Sequence, residues 1–82
     1  MVSPEALRRV RDLLFKELVL PGDTGYWGVG IGEDEVILYY DGSRARRVVN
    51  VPSTYTINGE VVRVRIVEAR MPRALTRNAL SP

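Results

Sequence analysis

The 82-residue sequence predicts an α+β fold in which one N-terminal helix packs on an antiparallel sheet of about four strands. Three observations lead to this prediction. Apolar residues recur at helical spacing over residues 4–19, β-rich runs fill residues 26–67, and Gly, Pro and Asn interrupt those runs at turn positions. A chain of this length builds one small core, so we expect a single domain over residues 1–70 and a C-terminal tail over residues 71–82.

The helix is predicted over residues 4–19. Ser3 is a good N-cap, Pro4 suits the first helical position, and Glu5 complements the helix dipole. The apolar stripe that should face the sheet consists of Leu7, Val10, Leu13, Leu14 and Leu18. Pro21 ends the helix, because it cannot supply a backbone N–H, and a Gly-rich loop follows.

Residues 26–31 and 36–40 are predicted to form a hairpin around an acidic turn. In the expected register Trp27 faces Tyr40, and both lie on the face that receives the helix. The same face should carry Val29, Ile31, Val36 and Leu38. The helix and this face together would then enclose the core.

The run GVGIG lies on the second face of this hairpin and is interpreted as structural. In the expected register Gly30 pairs with Ile37 and Gly28 pairs with Tyr39, so that each large side chain lies over bare backbone. A dinucleotide-binding loop needs G-x-G-x-x-G between a strand and a helix, whereas here the spacing differs and a strand follows.

Two further β segments complete the prediction. Residues 46–51 are expected to form a third strand, and residues 54–57 and 60–67 a second hairpin around the Asn-Gly dipeptide, which is a strong turn signal. In that hairpin Tyr55 pairs with Val62. The tail after this hairpin is expected either to form one or two helical turns or to be disordered.

The composition argues against a catalytic or metal site. The sequence has no cysteine and no histidine, which excludes disulfides, thiolate metal sites and histidine bases. An enzyme with a metal bound by Glu33, Asp34 and Glu35 is a third alternative, but these residues lack EF-hand spacing and are expected to be a solvated hairpin tip. We expect no enzyme activity, no cofactor and no metal. Without cysteine or an apolar run of about 20 residues, the expected location is the cytoplasm, with no membrane contact.

Charge is distributed unevenly along the chain. Residues 1–41 contain four basic and eight acidic side chains, whereas residues 42–82 contain eight basic and two acidic ones. This asymmetry is typical of a protein that binds an anionic partner, or of one whose two ends attract each other. An RNA- or DNA-binding surface is therefore the alternative function, and arginine suits phosphate geometry. The arginines predicted to form it are Arg44, Arg46, Arg47, Arg63 and Arg65.

The strand at residues 36–40 is apolar on both faces, which predicts self-association. One helix can cover only one face of a sheet, so Ile37 and Tyr39 should remain exposed on the other. Either the tail around Leu75 folds over them, or a second copy does. We predict a homodimer with Ile37, Tyr39 and Leu75 as contact residues. The expected function is a non-enzymatic interaction domain, or a small subunit of a complex, that binds itself or another protein.

The order of GVGIG, VILYY, a Val-Pro step and NGEVVRVRIVEA resembles small archaeal α+β proteins without an established activity. It also resembles the segment that precedes the protease-like domain in some trypsin-like proteins. The positions that carry the resemblance are Gly28, Gly30, Gly32, residues 36–40, Val51, Pro52, Gly59, Val62 and Val64. The resemblance covers residues 28–69 and implies a shared small α+β fold, with no catalytic residue carried over.

The composition weakly favours a thermophilic source, because the sequence has many ionic residues and no glutamine. A GC-rich genome explains the excess of arginine equally well.

Overall fold

The computed structural model describes residues 2–72, in which an N-terminal helical segment packs on a four-stranded sheet. Helix α1 spans Pro4–Leu14 and continues as a π-helical turn over Phe15–Val19. The strands are β1 (Tyr26–Ile31), β2 (Glu35–Tyr40), β3 (Thr54–Ile57) and β4 (Glu60–Glu68). The predicted α+β class, with one N-terminal helix on four strands, is confirmed.

The sheet is mixed, with the strand order β1-β2-β4-β3. The two hairpins, β1 with β2 and β3 with β4, are antiparallel as expected, but β2 and β4 run parallel at the centre. This differs from a wholly antiparallel sheet because the connection after β2 carries the chain to the far edge. The second hairpin then returns β4 to lie beside β2. Hairpin sequence signals describe each pair separately and contain no information on how the two pairs join.

The prediction of a strand over residues 46–51 is wrong, because this segment belongs to the connection between β2 and β3. The backbone amides of Arg46 and Arg47 donate to the carbonyl oxygen of Asp23, at 2.7 and 3.3 Å, instead of to a neighbouring strand. The side chains of Val49 and Val51 pack against the core, whereas Val48 is exposed. Two of the three valines therefore pack without forming a β ladder, and local β-propensity cannot distinguish such a segment from a strand.

The core lies between α1 and the sheet. The hydroxyl of Ser3 accepts a hydrogen bond from the amide of Ala6 at 3.2 Å, as expected of the N-cap. The buried stripe of the helical segment is Ala6, Leu7, Val10, Leu14 and Leu18, and the sheet contributes Val36, Leu38 and Val62. Leu13, which was expected in the stripe, is 38% exposed. None of the helices within residues 2–72 combines the length and apolar character needed to cross a membrane.

A buried threonine joins the end of the helical segment to the first strand. The Thr24 hydroxyl donates to the carbonyl oxygen of Leu18 at 2.6 Å and accepts from the amide of Tyr26 at 3.2 Å. Gly22 adopts a φ of 78°, a left-handed conformation that suits glycine after a helix. These contacts fix the loop at residues 20–25 against one end of the sheet.

A β-bulge changes which face Trp27 occupies. Tyr26 pairs with Tyr40, whereas Gly28 already pairs with Tyr39, so Trp27 is the extra residue on its strand. Tyr26 is therefore the aromatic residue that faces the helix and packs on Tyr40, with ring centroids 4.8 Å apart. Trp27 stacks instead on Tyr39, at 5.2 Å. The prediction that Trp27 lies on the core face is wrong, because regular alternation does not hold across a bulge.

The second hairpin has the register expected from its sequence. Tyr55 pairs with Val62, and the Asn-Gly dipeptide forms the turn. Asn58 and Gly59 have φ values of 50° and 81°, the pair of positive angles that a type I′ turn requires.

Candidate interaction surface

The sheet face opposite α1, called here the open face, carries a central apolar strip bordered by charged residues. The strip consists of Trp27, Ile37, Tyr39 and Val67, which alternate with core-facing neighbours on β1, β2 and β4 and are half-buried. Val61, which is 55% exposed, lies on the same face but farther along β4, beyond Arg63 and Arg65. Among residues 2–72, no helix packs on this face, since α1 lies on the core side.

Two stacked aromatic rings lie on the open face near the end of β2. The rings of Trp27 and Tyr39 stack with an interplanar angle of 29°. The indole Nε1–H of Trp27 donates to the carbonyl oxygen of Ala69 at 2.8 Å. Because β2 lies between β1 and β4, the indole crosses the end of β2 to reach that carbonyl group. The stack is therefore held in one arrangement.

The glycines of β1 lie under Tyr39. A Cβ added at Gly28 would lie 3.6 Å from Tyr39 Cδ2, and one added at Gly30 would lie 3.8 Å from Tyr39 Cε2. A Cβ at Gly32 would come within 3.1 Å of Ile37 Cδ1. The expected pairing of Gly30 with Ile37 is confirmed for the backbone, but the side chain that covers Gly30 is that of Tyr39.

The structure divides the five predicted nucleic-acid-binding arginines between two places. Arg63 and Arg65 lie on the open face of β4, whereas Arg44, Arg46 and Arg47 lie in the connection after β2. Arg63 is level with the start of β2, and the connection follows its end. From the level of Arg63 to the end of β2 there are five residue steps, and from the level of Arg65 three, so about 10–16 Å along the strand separate the two groups.

Two of these arginines are engaged in ion pairs. Arg65 Nη2 lies 3.0 Å from Glu35 Oε2, and Arg47 Nε lies 2.9 Å from Asp23 Oδ2. Within the described part of the chain, Arg63, Arg44 and Arg46 form no ion pair.

The end of the sheet beyond β2 holds two adjacent clefts that the sequence did not reveal. The basic cleft, about 390 Å³, is lined by Gly22, Ser43, Arg44 and Arg46. The aromatic cleft, about 200 Å³, is lined by Val19, Gly22, Gly25, Tyr26, Trp27, Arg44 and Met71. Their walls come from the end of the helical segment and the loop after it, the start of β1, the connection after β2 and the segment after β4. No local pattern could have indicated that these segments meet.

A carboxylate beside the clefts organises the connection. Asp41 Oδ1 accepts from the hydroxyl and the amide of Ser43, at 2.6 and 3.0 Å, and Asp41 Oδ2 accepts from the amide of Met71 at 3.2 Å. Two hydrogen bonds hold the pKa of Asp41 below its ordinary value. The bond from the Ser43 hydroxyl has the larger effect, and the bond from the Met71 amide has the next largest. Arg44 adds a smaller effect of the same sign.

The acidic turn does not gather its carboxylates around one point. Glu35 pairs with Arg65, and Asp34 Oδ1 accepts from the amide of Val2 at 3.2 Å. Over residues 2–72, no group of three or more acidic side chains is placed to hold a metal ion.

Of the three predicted self-association residues, Ile37 and Tyr39 lie together on the open face. Leu75 lies outside the described residues. Comparison of the chain with protein-family models, curated proteins and solved structures finds no match. The resemblance to archaeal α+β proteins and to a segment of trypsin-like proteins therefore stays a prediction.

Proposed function

We propose that this chain is a non-enzymatic interaction domain that pairs with a second copy of itself through the open face. The observation that carries the proposal is the apolar strip around Trp27 and Tyr39, which no described helix covers. A contiguous apolar surface on a small protein is typical of an interface, and a two-fold dimer is the commonest closed arrangement.

The features of the strip support a protein contact. Aromatic residues are enriched at the centres of interfaces, and here they are already held by a stack and a hydrogen bond, so that little ordering is required on binding. The border carries both signs of charge, with Glu35 beside Arg63 and Arg65. Two identical copies can therefore meet without a ring of like charges.

Sedimentation equilibrium at micromolar concentrations tests the proposal. We expect the wild type to have twice the monomer mass of 9.2 kDa. Val61→Glu should shift the protein to the monomer, because a partner that covers the open face would bury the new charge. Val48→Glu is the matched control: Val48 is 94% exposed in the connection, so the dimer should persist. Thermal melts establish that both variants fold, and a wild type at 9.2 kDa throughout would refute self-association.

A second candidate function is binding of single-stranded nucleic acid on the same face. The supporting observation is that Arg63 lies on the face that carries the Trp27–Tyr39 stack and has no ion-pair partner within residues 2–72. Aromatic rings and arginines on a sheet face are a common combination for stacking bases and binding phosphates.

Binding of RNA and DNA oligonucleotides at several salt concentrations tests this second function. Replacing Arg63 and Arg65 with glutamine should weaken binding equally for unrelated sequences and reduce the salt slope by about one per arginine. The matched control replaces Arg8 and Arg9, which are exposed on the helix, and should leave the affinity unchanged. Equal losses in the two double variants would argue against a site on the open face.

A further inference from the structure

The basic and aromatic clefts share Gly22 and Arg44, and together they form one depression at the end of the sheet. This double cleft lies beyond the last residue of β2, away from Arg63 and Val61 of the open face. One half is lined by aromatic and apolar side chains and the other by guanidinium groups. A ligand that fills both halves must carry an apolar group next to a negative charge.

The basic half has a net positive charge, because Arg44, Arg46 and Arg47 lie beside two carboxylates, Asp23 and Asp41. Among residues 2–72, Arg44 and Arg46 form no ion pair, whereas their neighbour Arg47 is bound to Asp23. Two carboxylates lie close by. Asp41 already accepts hydrogen bonds from Ser43 and Met71, and Arg44 helps to lower its pKa. The carbonyl oxygen of Asp23 accepts from the amide of Arg46 at 2.7 Å, and its Oδ1 is buried without a hydrogen-bond partner within residues 2–72. Two guanidinium groups match the charge of about −2 that a phosphate monoester carries at neutral pH.

The aromatic half has room for one flat ring. Its volume is about 200 Å³. An apolar cavity of about 150 Å³ can hold a benzene molecule, and aromatic side chains readily stack on nucleobases. The indole that forms part of its wall is fixed by its hydrogen bond to Ala69 and its stack on Tyr39. The ring position is therefore formed before any ligand binds.

We propose that the double cleft binds a mononucleotide, with the phosphate at Arg44 and Arg46 and the base in the aromatic half beside Trp27. Guanidinium forks fit phosphate oxygens in a bidentate geometry. The limited size of the aromatic half selects a single base, and two arginines that form no ion pair within residues 2–72 favour a phosphate over a carboxylate. The site shares Trp27 with the apolar strip of the open face, whereas Arg44 and Arg46, which would hold the phosphate, lie in the connection after β2.

The single tryptophan of the chain makes binding measurable, because Trp27 lines the cleft and its fluorescence reports on occupancy. The full chain is titrated, in buffer free of phosphate, with adenosine monophosphate, adenosine and inorganic phosphate. We expect a saturable fluorescence change with adenosine monophosphate, and binding at least about tenfold weaker for either half alone. No saturable change, or equal affinity for inorganic phosphate, would overturn the proposal.

Variants distinguish binding at the double cleft from non-specific attraction of anions by the basic surface. Arg44→Gln should weaken binding of adenosine monophosphate by about tenfold or more, since it removes a charge-assisted contact. Arg8→Gln, on the exposed face of the helix, is the matched control and should bind as the wild type does. The ligand should also raise the Tm of the wild type and of Arg8→Gln, with a smaller rise for Arg44→Gln. Equal weakening by both substitutions would show that binding is non-specific and would overturn the site.

Because Trp27 belongs both to the apolar strip and to the aromatic cleft, binding is also measured with Val61→Glu. Val61 lies on the open face away from the cleft, so this variant should keep its affinity for adenosine monophosphate. Loss of nucleotide binding in folded Val61→Glu would place the ligand on the open face and contradict the double cleft.

Discussion

The indole Nε1 of Trp27 lies 2.8 Å from the carbonyl oxygen of Ala69 and donates a hydrogen bond to it across β2. This contact joins the first strand to the end of the last one, although the two strands are not neighbours in the sheet. We expect Trp27→Phe to lose about 0.5–1.5 kcal/mol of unfolding free energy, because an aromatic ring remains but the donor does not. Urea unfolding followed by far-UV circular dichroism measures the loss.

Tyr39→Phe is the control for this prediction. It keeps the other ring of the stack, and the Tyr39 hydroxyl forms no hydrogen bond within the described part of the chain. Its stability should stay within about 0.5 kcal/mol of the wild type. Equal losses in both variants would mean that stacking, and not the hydrogen bond to Ala69, carries the stability.

Two glycines of the loop after the helix should differ in their tolerance of alanine. Gly25 has a φ of 89°, and a Cβ there would lie 2.7 Å from the ring of Tyr40 and 3.0 Å from the carbonyl oxygen of Asp41. Gly22 has a φ of 78° but has no atom within 4 Å of such a Cβ. We expect Gly25→Ala to cost about 2–4 kcal/mol, from backbone strain and steric clash together. Gly22→Ala should cost about 1–2 kcal/mol, from strain alone. Thermal melts compare the two, and equal shifts would show that the close contacts at Gly25 relax freely.

Stability should depend on pH through a contact between the helix start and the second hairpin. The amide of Ser3 donates to Glu60 Oε1 at 2.6 Å, and the Ser3 hydroxyl donates to Oε2 at 2.9 Å. These hydrogen bonds hold the pKa of Glu60 below its ordinary value of 4.5. Because the pKa is lower in the folded state, the stabilisation is complete above pH 4.5 and is lost as the pH falls through the folded-state pKa.

The variant Glu60→Gln isolates this contribution from that of Asp41, whose pKa is lowered too. The stability difference between the wild type and Glu60→Gln should be larger at neutral pH than at about pH 2–3. Glu33→Gln, in the exposed acidic turn, is the matched control. A difference for Glu60→Gln that does not change with pH would contradict the role of the charged carboxylate.

Replacing Gly30 with valine should destabilise the protein by about 1–3 kcal/mol, because the added methyl groups would push Tyr39 from its place on the strand. Gly30→Ala is the matched control, since its single Cβ would make an ordinary contact with Tyr39. Near-UV circular dichroism follows the Trp27–Tyr39 stack, and thermal melts follow the stability. A melt that valine leaves unchanged would refute the structural role of this glycine.

Local signals in the sequence predicted the elements that form from neighbouring residues. The N-cap at Ser3, the Asn-Gly turn and the pairing of Tyr55 with Val62 all appear as expected. The pairing of Val29 with Leu38 was also correct, because the period of side-chain alternation sets the register of a hairpin. These features depend on residues that are close together in the chain. A local sequence pattern therefore contains the information needed to predict them.

The sequence by itself determined the α+β class, the helix and both hairpins, because propensity, capping and alternation act over short distances. Only the tertiary structure decided the parallel pairing of β2 with β4, the bulge that turns Trp27 to the open face, and the double cleft. Each of these depends on segments that are distant in the chain. Trp27 meets Ala69, 42 residues away, and Gly22 lies beside Arg44, so their arrangement follows from how the whole core packs.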